Sequence, residues 1–249
     1  MNLTDKAALV TGGTRGIGAA TAIALAREGA HVAINGRHDD SEAQATRQAI
    51  LALGRRCEFL LADCARPEEA TRCVRETVAR LGGVDVLVHC AGGPVNGGLL
   101  DLTPEAWLSA FDVHVHAVFH LCRAAIPHMQ AKQEGAIVLI SSVSGLRGIV
   151  TNIAYQVAKG AVPQFARALA REFAPDNIRV NCVAPGVIRT AFHKNMSEAQ
   201  RKLNLEQRIP LRREGTPAQV ASVIVELVKN DYLTGETFTI DGGLTMRIA

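Results

Sequence analysis

Residues 11–18 read Thr11-Gly12-Gly13-Thr14-Arg15-Gly16-Ile17-Gly18 and lie between the aliphatic run Ala7–Thr11 and the alanine-rich segment Ala19–Glu28. The run is apolar without polar alternation, which suits a strand covered on both faces, and the segment after the turn has helical period. Glycines at this turn allow a tight reversal and let backbone N–H groups approach a pyrophosphate at the positive end of the following helix. Glycine turns also serve plain strand–helix packing. The place of this one, after strand one and before helix one, is what marks a dinucleotide site.

Outward from that turn, apolar runs recur at His31–Asn35, Cys57–Ala62, Val84–Cys90, Ala136–Ser141, Arg179–Val183 and Glu236–Ile240. The segments between them, for example Glu42–Leu53 and Pro67–Leu81, are long enough for crossover helices. The pattern predicts an α/β fold, a doubly wound parallel seven-stranded Rossmann sheet with helices on both faces. Pro104–Lys132 reads as one long helical stretch. Ala191–Glu214, charged and without a strand partner, reads as a substrate lid. No internal repeat or Pro/Gly-rich linker divides the 249 residues, so residues 1–249 read as a single dinucleotide-binding and catalytic domain.

Composition narrows the function classes. Apolar residues make up 48% and charged residues 20%, which excludes a disordered chain. Aliphatic stretches such as Ile137-Val138-Leu139-Ile140 fall far short of the ~20 residues that cross a bilayer, and Asp5 and Lys6 interrupt any signal-peptide reading. Six cysteines with no C-x-x-C pair read as reduced thiols in a cytoplasm. The net charge of +3 comes with no long basic block, so a nucleic-acid partner is not expected. His116 and His120 have an i, i+4 spacing and lie near His114, but no carboxylate or cysteine partners complete a zinc site, so no metal is expected.

A site that prefers NAD normally has a carboxylate at the end of the second strand to hold the ribose 2′-hydroxyl. That place here reads Asn35-Gly36-Arg37-His38. Arg37 suits a 2′-phosphate, and Arg15 in the glycine turn offers a second cation on the same side, so NADP(H) is the expected cofactor. The alternative is that both arginines are solvated and Asp39 or Asp40 curls back to the ribose of NAD.

Tyr155 and Lys159 are four residues apart in a segment of helical period from about Asn152 to Phe173, so they share one helix face. A free tyrosine titrates near ~10, and an adjacent ammonium brings it toward neutrality, where it can exchange protons. Ser142 lies at the end of the fifth strand, where open α/β sheets form their ligand crevice. Each of the three has a plain structural explanation. Behind a cofactor turn, their coincidence reads as a catalytic constellation.

In these motifs the chain resembles the single-domain short-chain dehydrogenase/reductases, 3-oxoacyl-acyl-carrier-protein reductases among them. The matching motifs are Thr11–Gly18, Asp63, Ser142, the Tyr155-x-x-x-Lys159 pair, Pro185-Gly186 and Asp241-Gly242-Gly243. The resemblance implies that Tyr155 exchanges the proton, Lys159 lowers its pKa and holds the nicotinamide ribose, and Ser142 orients the substrate carbonyl. It also implies that Asp63 faces the adenine, Ala91-Gly92 line the cofactor, and Ile188 and Thr190 meet the nicotinamide amide. With the glycine turn, the expected cofactor set is Gly12, Thr14, Arg15, Gly16, Ile17, Gly18, Arg37, Asp63, Cys64, Cys90, Ala91, Gly92, Tyr155, Lys159, Pro185, Gly186, Ile188 and Thr190. A homo-oligomer, tetramer or dimer, follows by likeness.

Three departures stand out. His89-Cys90-Ala91-Gly92 replaces the family's N-N-A-G, which questions the polar tie given to the central sheet. His114 stands seven residues after Trp107, where the family has a catalytic asparagine. By the resemblance, a water held on the backbone carbonyl there links the lysine to solvent. His114 would then either pass a proton itself or fill the asparagine's space, and it is counted with Ser142, Tyr155 and Lys159 in the expected catalytic set. The loop between Leu227 and Thr234-Gly235 is also short.

The expected reaction is the NADP(H)-dependent interconversion of a small-molecule carbonyl and a secondary alcohol, with 3-oxoacyl-acyl-carrier-protein reduction as the narrower alternative. A catalytically idle dinucleotide-binding protein on the same fold is the reading from another class. In the lid, Lys194, Arg201, Lys202, Arg208, Arg212 and Arg213 outnumber Glu198, Glu206 and Glu214. That excess could recruit an anionic substrate, but it reads first as the wet face of an amphipathic helix with Met196, Leu203 and Leu205 turned inward.

Overall fold

The computed structural model describes residues 1–150, 152–193 and 196–246. Lys194 of the lid lies outside the described residues. Seven strands form one parallel sheet: β1 (Ala7–Thr11), β2 (His31–Gly36), β3 (Cys57–Leu61), β4 (Val86–His89), β5 (Gly135–Ile140), β6 (Ile178–Pro185) and β7 (Thr237–Ile240), in the order β3-β2-β1-β4-β5-β6-β7. The order reverses between β1 and β4, which opens a crevice at their C-terminal ends. Every residue of β1, β4, β5 and β6 is buried, which is why their sequences do not alternate.

Helices α1 (Gly16–Arg27), α2 (Ser41–Leu51) and α8 (Pro217–Lys229) cover one face, with Leu25, Ile50 and Ile224 in its core. The other face carries α3 (Pro67–Leu81), α5 (Ala117–Lys132) and α6 (Ile153–Phe173), with Val74, Leu121 and Val162. Two shorter helices, α4 (Pro104–Phe111) and α7 (Glu198–Leu203), lie over the crevice end and in the lid.

The stretch expected as one helix over Pro104–Lys132 is α4 and α5 joined by a π-helical turn, Asp112–His116. The extra residue in that turn moves the α5 face out of phase with α4. Alanines at 110, 154 and 158 are fully buried and bring α4 against the start of α6, so the π turn sits beside that helix. A second π turn, Asn204–Arg208, follows α7 and has the same effect on the lid. Leu203, expected to face inward, is exposed, whereas Asn204 and Ile209 are buried.

The short loop after α8 is pinned from below. Arg179, on β6, is buried and its guanidinium donates to the carbonyls of Leu227 (2.6 Å), Val228 (2.5 Å) and Leu233 (3.3 Å). These include carbonyls at the α8 C-terminus that have no partner within the helix, and a cation is favoured there. Arg179→Met keeps the apolar stem and strands those carbonyls, so it should cost about 2–4 kcal/mol of stability, measured by urea unfolding against the parent.

Candidate active site

The glycine turn is compressed as its sequence requires. Gly12 has φ +61°, and a Cβ there would stand 2.8 Å from Ala91 Cα, so β1 and β4 meet at their ends only if this residue is glycine. At Gly18 a Cβ would fall 2.0 Å from the Gly12 carbonyl oxygen, which brings the start of α1 onto the turn. Gly36, at the end of β2, lies so near Thr14 that a Cβ would approach its Cγ2 to 2.6 Å, while the Thr14 carbonyl accepts from Thr46 of α2 at 3.0 Å. Thr190 faces Gly16 across the crevice. The result is a backbone cradle at a helix N-terminus, free of side chains where a pyrophosphate would approach, and the residues present fit a nicotinamide dinucleotide.

At the rim of the cradle, Arg15 is paired with Asp40 (2.5 Å) and Glu42 (3.1 Å). Asp40 also caps α2, its carboxylate accepting from the Ala43 N–H at 3.0 Å, and Asp39 accepts from Gln44. The cap and Arg15 hold the Asp40 carboxyl below its ordinary range. Arg37 is exposed directly after β2 and forms no ion pair among the described residues.

Asp63 closes the turn after β3, donating its N–H to Glu69 (2.7 Å) and accepting from the Ala65 N–H (3.1 Å). Two expected cofactor residues turn their side chains away from the crevice. The Cys64 thiol donates to Asn35 Oδ1 at 3.1 Å, and Cys90 reaches Thr21 beneath α1, with burial pushing its thiol up to about 12. Gly186 and Ile188 pack tightly, a Cβ on Gly186 falling 2.7 Å from Asp241 and one on Gly215 falling 2.6 Å from Ile188. Pro185 ends β6 just below them.

Ser142, Tyr155 and Lys159 come together at the end of β5. Ser142 lies beside the Tyr155 hydroxyl, where it favours the tyrosinate, and Ser142 Oγ is oriented by the Ser144 N–H at 3.2 Å. Lys159 is buried, with Nζ donating to the Ile140 carbonyl at 2.7 Å and standing 5.8 Å from the centre of the tyrosine ring. Ser141 Oγ donates to the Lys159 carbonyl at 2.7 Å, fixing the helix to the strand. Burial pulls the ammonium down to about 8. The expected lowering of Tyr155 is corrected in direction. Burial raises it, Ser142 opposes that only partly, and the lysine spends its hydrogen bond on a carbonyl.

The doubt over the H-C-A-G segment resolves in its favour. His89 Nε2 lies 2.9 Å from the Val113 carbonyl and Nδ1 lies 2.8 Å from Thr11 Oγ1, so the ring donates from Nε2, accepts at Nδ1, and ties β4 to both β1 and the π turn. His114 is 1% exposed and its Nε2 donates to the Gly93 carbonyl at 3.1 Å. Its Nδ1 is buried with no hydrogen-bond partner among the described residues. Gly92, at φ +149°, makes room for this ring, since a Cβ there would fall 2.2 Å from His114 Cε1. The imidazole meets the Tyr155 ring edge-on at 5.4 Å. Burial foremost, with the Lys159 charge, holds His89 down at about 4 and His114 at about 2, so both are neutral near pH 7. His116, by contrast, is exposed and paired with Asp112 at 3.0 Å.

Phe192, at the start of the lid, stands 5.8 Å from the Tyr155 ring and was not singled out in the sequence. A lone phenylalanine in a charged insertion carries no signal of what it will cover. No helix among the described residues is long and apolar enough to cross a membrane.

Comparison with known proteins agrees with this geometry. The family model described as Enoyl-(Acyl carrier protein) reductase matches residues 12–245. A 3-oxoacyl-(acyl-carrier-protein) reductase of Chlamydia muridarum is 36% identical over 97% of this chain and 98% of its own. Dehydrogenase/reductase SDR family member 4 of Oryctolagus cuniculus is 35% identical over 99% of this chain and 96% of its own. Among solved structures, a short chain dehydrogenase from Burkholderia cenocepacia in complex with NADP superposes with a TM-score of 0.91, at 34% identity over 98% of this chain and 99% of that one.

Proposed function

We propose that this chain, which belongs to the short-chain dehydrogenase/reductase family, is an NADP(H)-dependent oxidoreductase that interconverts a carbonyl and a secondary alcohol with Tyr155 as acid/base. The observation that carries the reading is the gathering at the end of β5 of Ser142, Tyr155 and the buried Lys159, whose Nζ stands 5.8 Å from the centre of the tyrosine ring. The bound dinucleotide supplies a hydride at nicotinamide C4. In the reducing direction the Ser142 and Tyr155 hydroxyls orient the carbonyl oxygen. Tyr155 then transfers its proton to the oxygen as negative charge develops there, and the Lys159 ammonium stabilises the tyrosinate left behind. A tyrosine raised by burial holds its proton until that moment, which suits the donor role. Phe192 over the ring helps to exclude water.

Preference for NADP(H) is supported by the engaged state of Asp39 and Asp40, whereas Arg37 at the second-strand end has no ion pair among the described residues. The NADP complex of the Burkholderia neighbour points the same way. His114 acts in this reading as a positioning residue, since an imidazole held at about 2 does not pass protons by becoming charged near neutrality. The π turn keeps the local bend on which a water-holding backbone carbonyl at this position depends. We read residues 1–249 as one cytoplasmic domain with its lid at about 191–214. Exposed Leu108, Phe119 and Val157 on α4, α5 and α6 offer apolar surface for a homo-oligomer, whose size sedimentation would give.

The narrower substrate reading, a 3-oxoacyl group on an acyl carrier protein, is favoured by the Chlamydia relative and by exposed basic residues around the lid such as Arg189 and Lys202. NADPH oxidation with a panel of small ketones beside 3-oxoacyl substrates tests both levels. NADPH binding with no turnover on any carbonyl overturns the enzyme reading. With Lys159 titrating at about 8, kcat/KM for reduction should fall as pH rises through that value, because the deprotonated amine no longer supports proton release from Tyr155. A profile flat from pH 7 to 9 contradicts this role.

A further inference from the structure

The two cations expected to meet a 2′-phosphate are in different states. Arg37 has no ion-pair partner among the described residues, whereas Arg15 is already held by two carboxylates from the start of α2, Asp40 at 2.5 Å and Glu42 at 3.1 Å. Asp40 has a second task as the cap of α2, and Glu42 forms no other ion pair among the described residues. All three side chains are partly exposed, at 44% for Arg15, 36% for Asp40 and 53% for Glu42, and a pair this wet is weak enough to exchange. A phosphate dianion is the stronger partner for a guanidinium, offering more charge and a bidentate face. The exchange leaves the Glu42 carboxylate beside that dianion, where like charges repel.

We propose that Glu42 is a specificity-determining residue: with Asp40 it holds Arg15 as a counter-ion that a 2′-phosphate must displace, so it restrains affinity for the phosphorylated coenzyme and leaves the unphosphorylated one unaffected. This rests on the reading that the site takes NADP(H). Arg37 is then the standing reader of the phosphate, and Arg15 is a second cation that Glu42 rations.

The test is calorimetric titration of the full chain with 2′,5′-ADP and with 5′-ADP, fragments that differ by the 2′-phosphate alone. Glu42→Gln should bind 2′,5′-ADP about three- to ten-fold more tightly than the parent, with 5′-ADP unchanged. In an Arg15→Met background the same substitution should give a clearly smaller gain, because the part of the effect that acts through the arginine is gone and only the direct repulsion remains. Both positions are exposed, and matching melting curves will show that the variants fold. If the parent prefers 2′,5′-ADP and Glu42→Gln leaves that preference unchanged, the proposal fails while the NADP reading stands. If neither the parent nor Glu42→Gln prefers 2′,5′-ADP, the NADP reading fails and the proposal falls with it. An equal gain with and without Arg15 overturns the exchange and leaves only repulsion at a distance.

Discussion

Tyr155→Phe should bind NADPH as the parent does and turn over about 10²- to 10⁴-fold more slowly, the range general acid catalysis contributes. The change removes one oxygen and keeps the ring. That ring supports the site's packing, edge-on against His114 at 5.4 Å and beneath Phe192 at 5.8 Å, so the fold and the lid contact persist. What disappears is the hydroxyl beside Ser142, and with it the proton that the developing alkoxide takes. The loss should therefore appear in kcat, with the coenzyme dissociation constant unmoved. Ser142→Ala, which removes an orienting bond and leaves the proton in place, should lose less. Stopped-flow measurement of NADPH oxidation with a verified carbonyl substrate, beside fluorescence titration of NADPH, separates the two quantities. Parent-like turnover in Tyr155→Phe would remove the proposed mechanism.

Features carried by short, local patterns were legible in the sequence. The seven strands lie within two residues of their expected ends, because buried parallel strands announce themselves as unbroken aliphatic runs. The Tyr155–Lys159 pair was legible because a helix brings i and i+4 together whatever the rest of the chain does. What escaped was set by a change of period or by partners far apart in the chain. The π turns at Asp112–His116 and Asn204–Arg208 each insert a residue that a 3.6-residue period does not register, so Pro104–Lys132 read as one helix and Leu203 as inward-facing. His89 meets a threonine 78 residues before it and a carbonyl 24 residues after it, and Phe192 meets Tyr155 across a lid. The state of Arg15 was likewise hidden. The sequence shows a cation beside a coenzyme turn, and only the packing of α2 shows that carboxylates already hold it.

The two buried histidines should make this protein acid-labile well above the pH at which its carboxylates are neutralised. In the unfolded chain each imidazole titrates near ~6.5, whereas in the folded protein burial holds His89 at about 4 and His114 at about 2. Below pH ~6.5 the unfolded state therefore binds protons that the native state refuses, and stability falls as pH falls. Each histidine contributes a slope of about 1.4 kcal/mol per pH unit, which for His89 ends near pH 4 and for His114 continues toward pH 2. Between pH 6.5 and 4.5 the pair should cost about 5 kcal/mol, comparable with the whole stability of many domains. The geometry explains why neither ring escapes by charging in place. Both are buried beside the Lys159 ammonium, and the His114 Nδ1 that would receive the proton has no acceptor among the described residues to meet it. Asparagine offers a donor and an acceptor and does not titrate, so the double variant His89→Asn/His114→Asn should lose this part of the slope whatever its stability at pH 7. Urea unfolding at half-unit steps from pH 7 to 4.5 measures both proteins. Parallel slopes in the two would show that the histidines do not carry the acid sensitivity, whereas a parent curve steeper by up to about 2.7 kcal/mol per pH unit is the result expected from two imidazoles kept neutral by the fold.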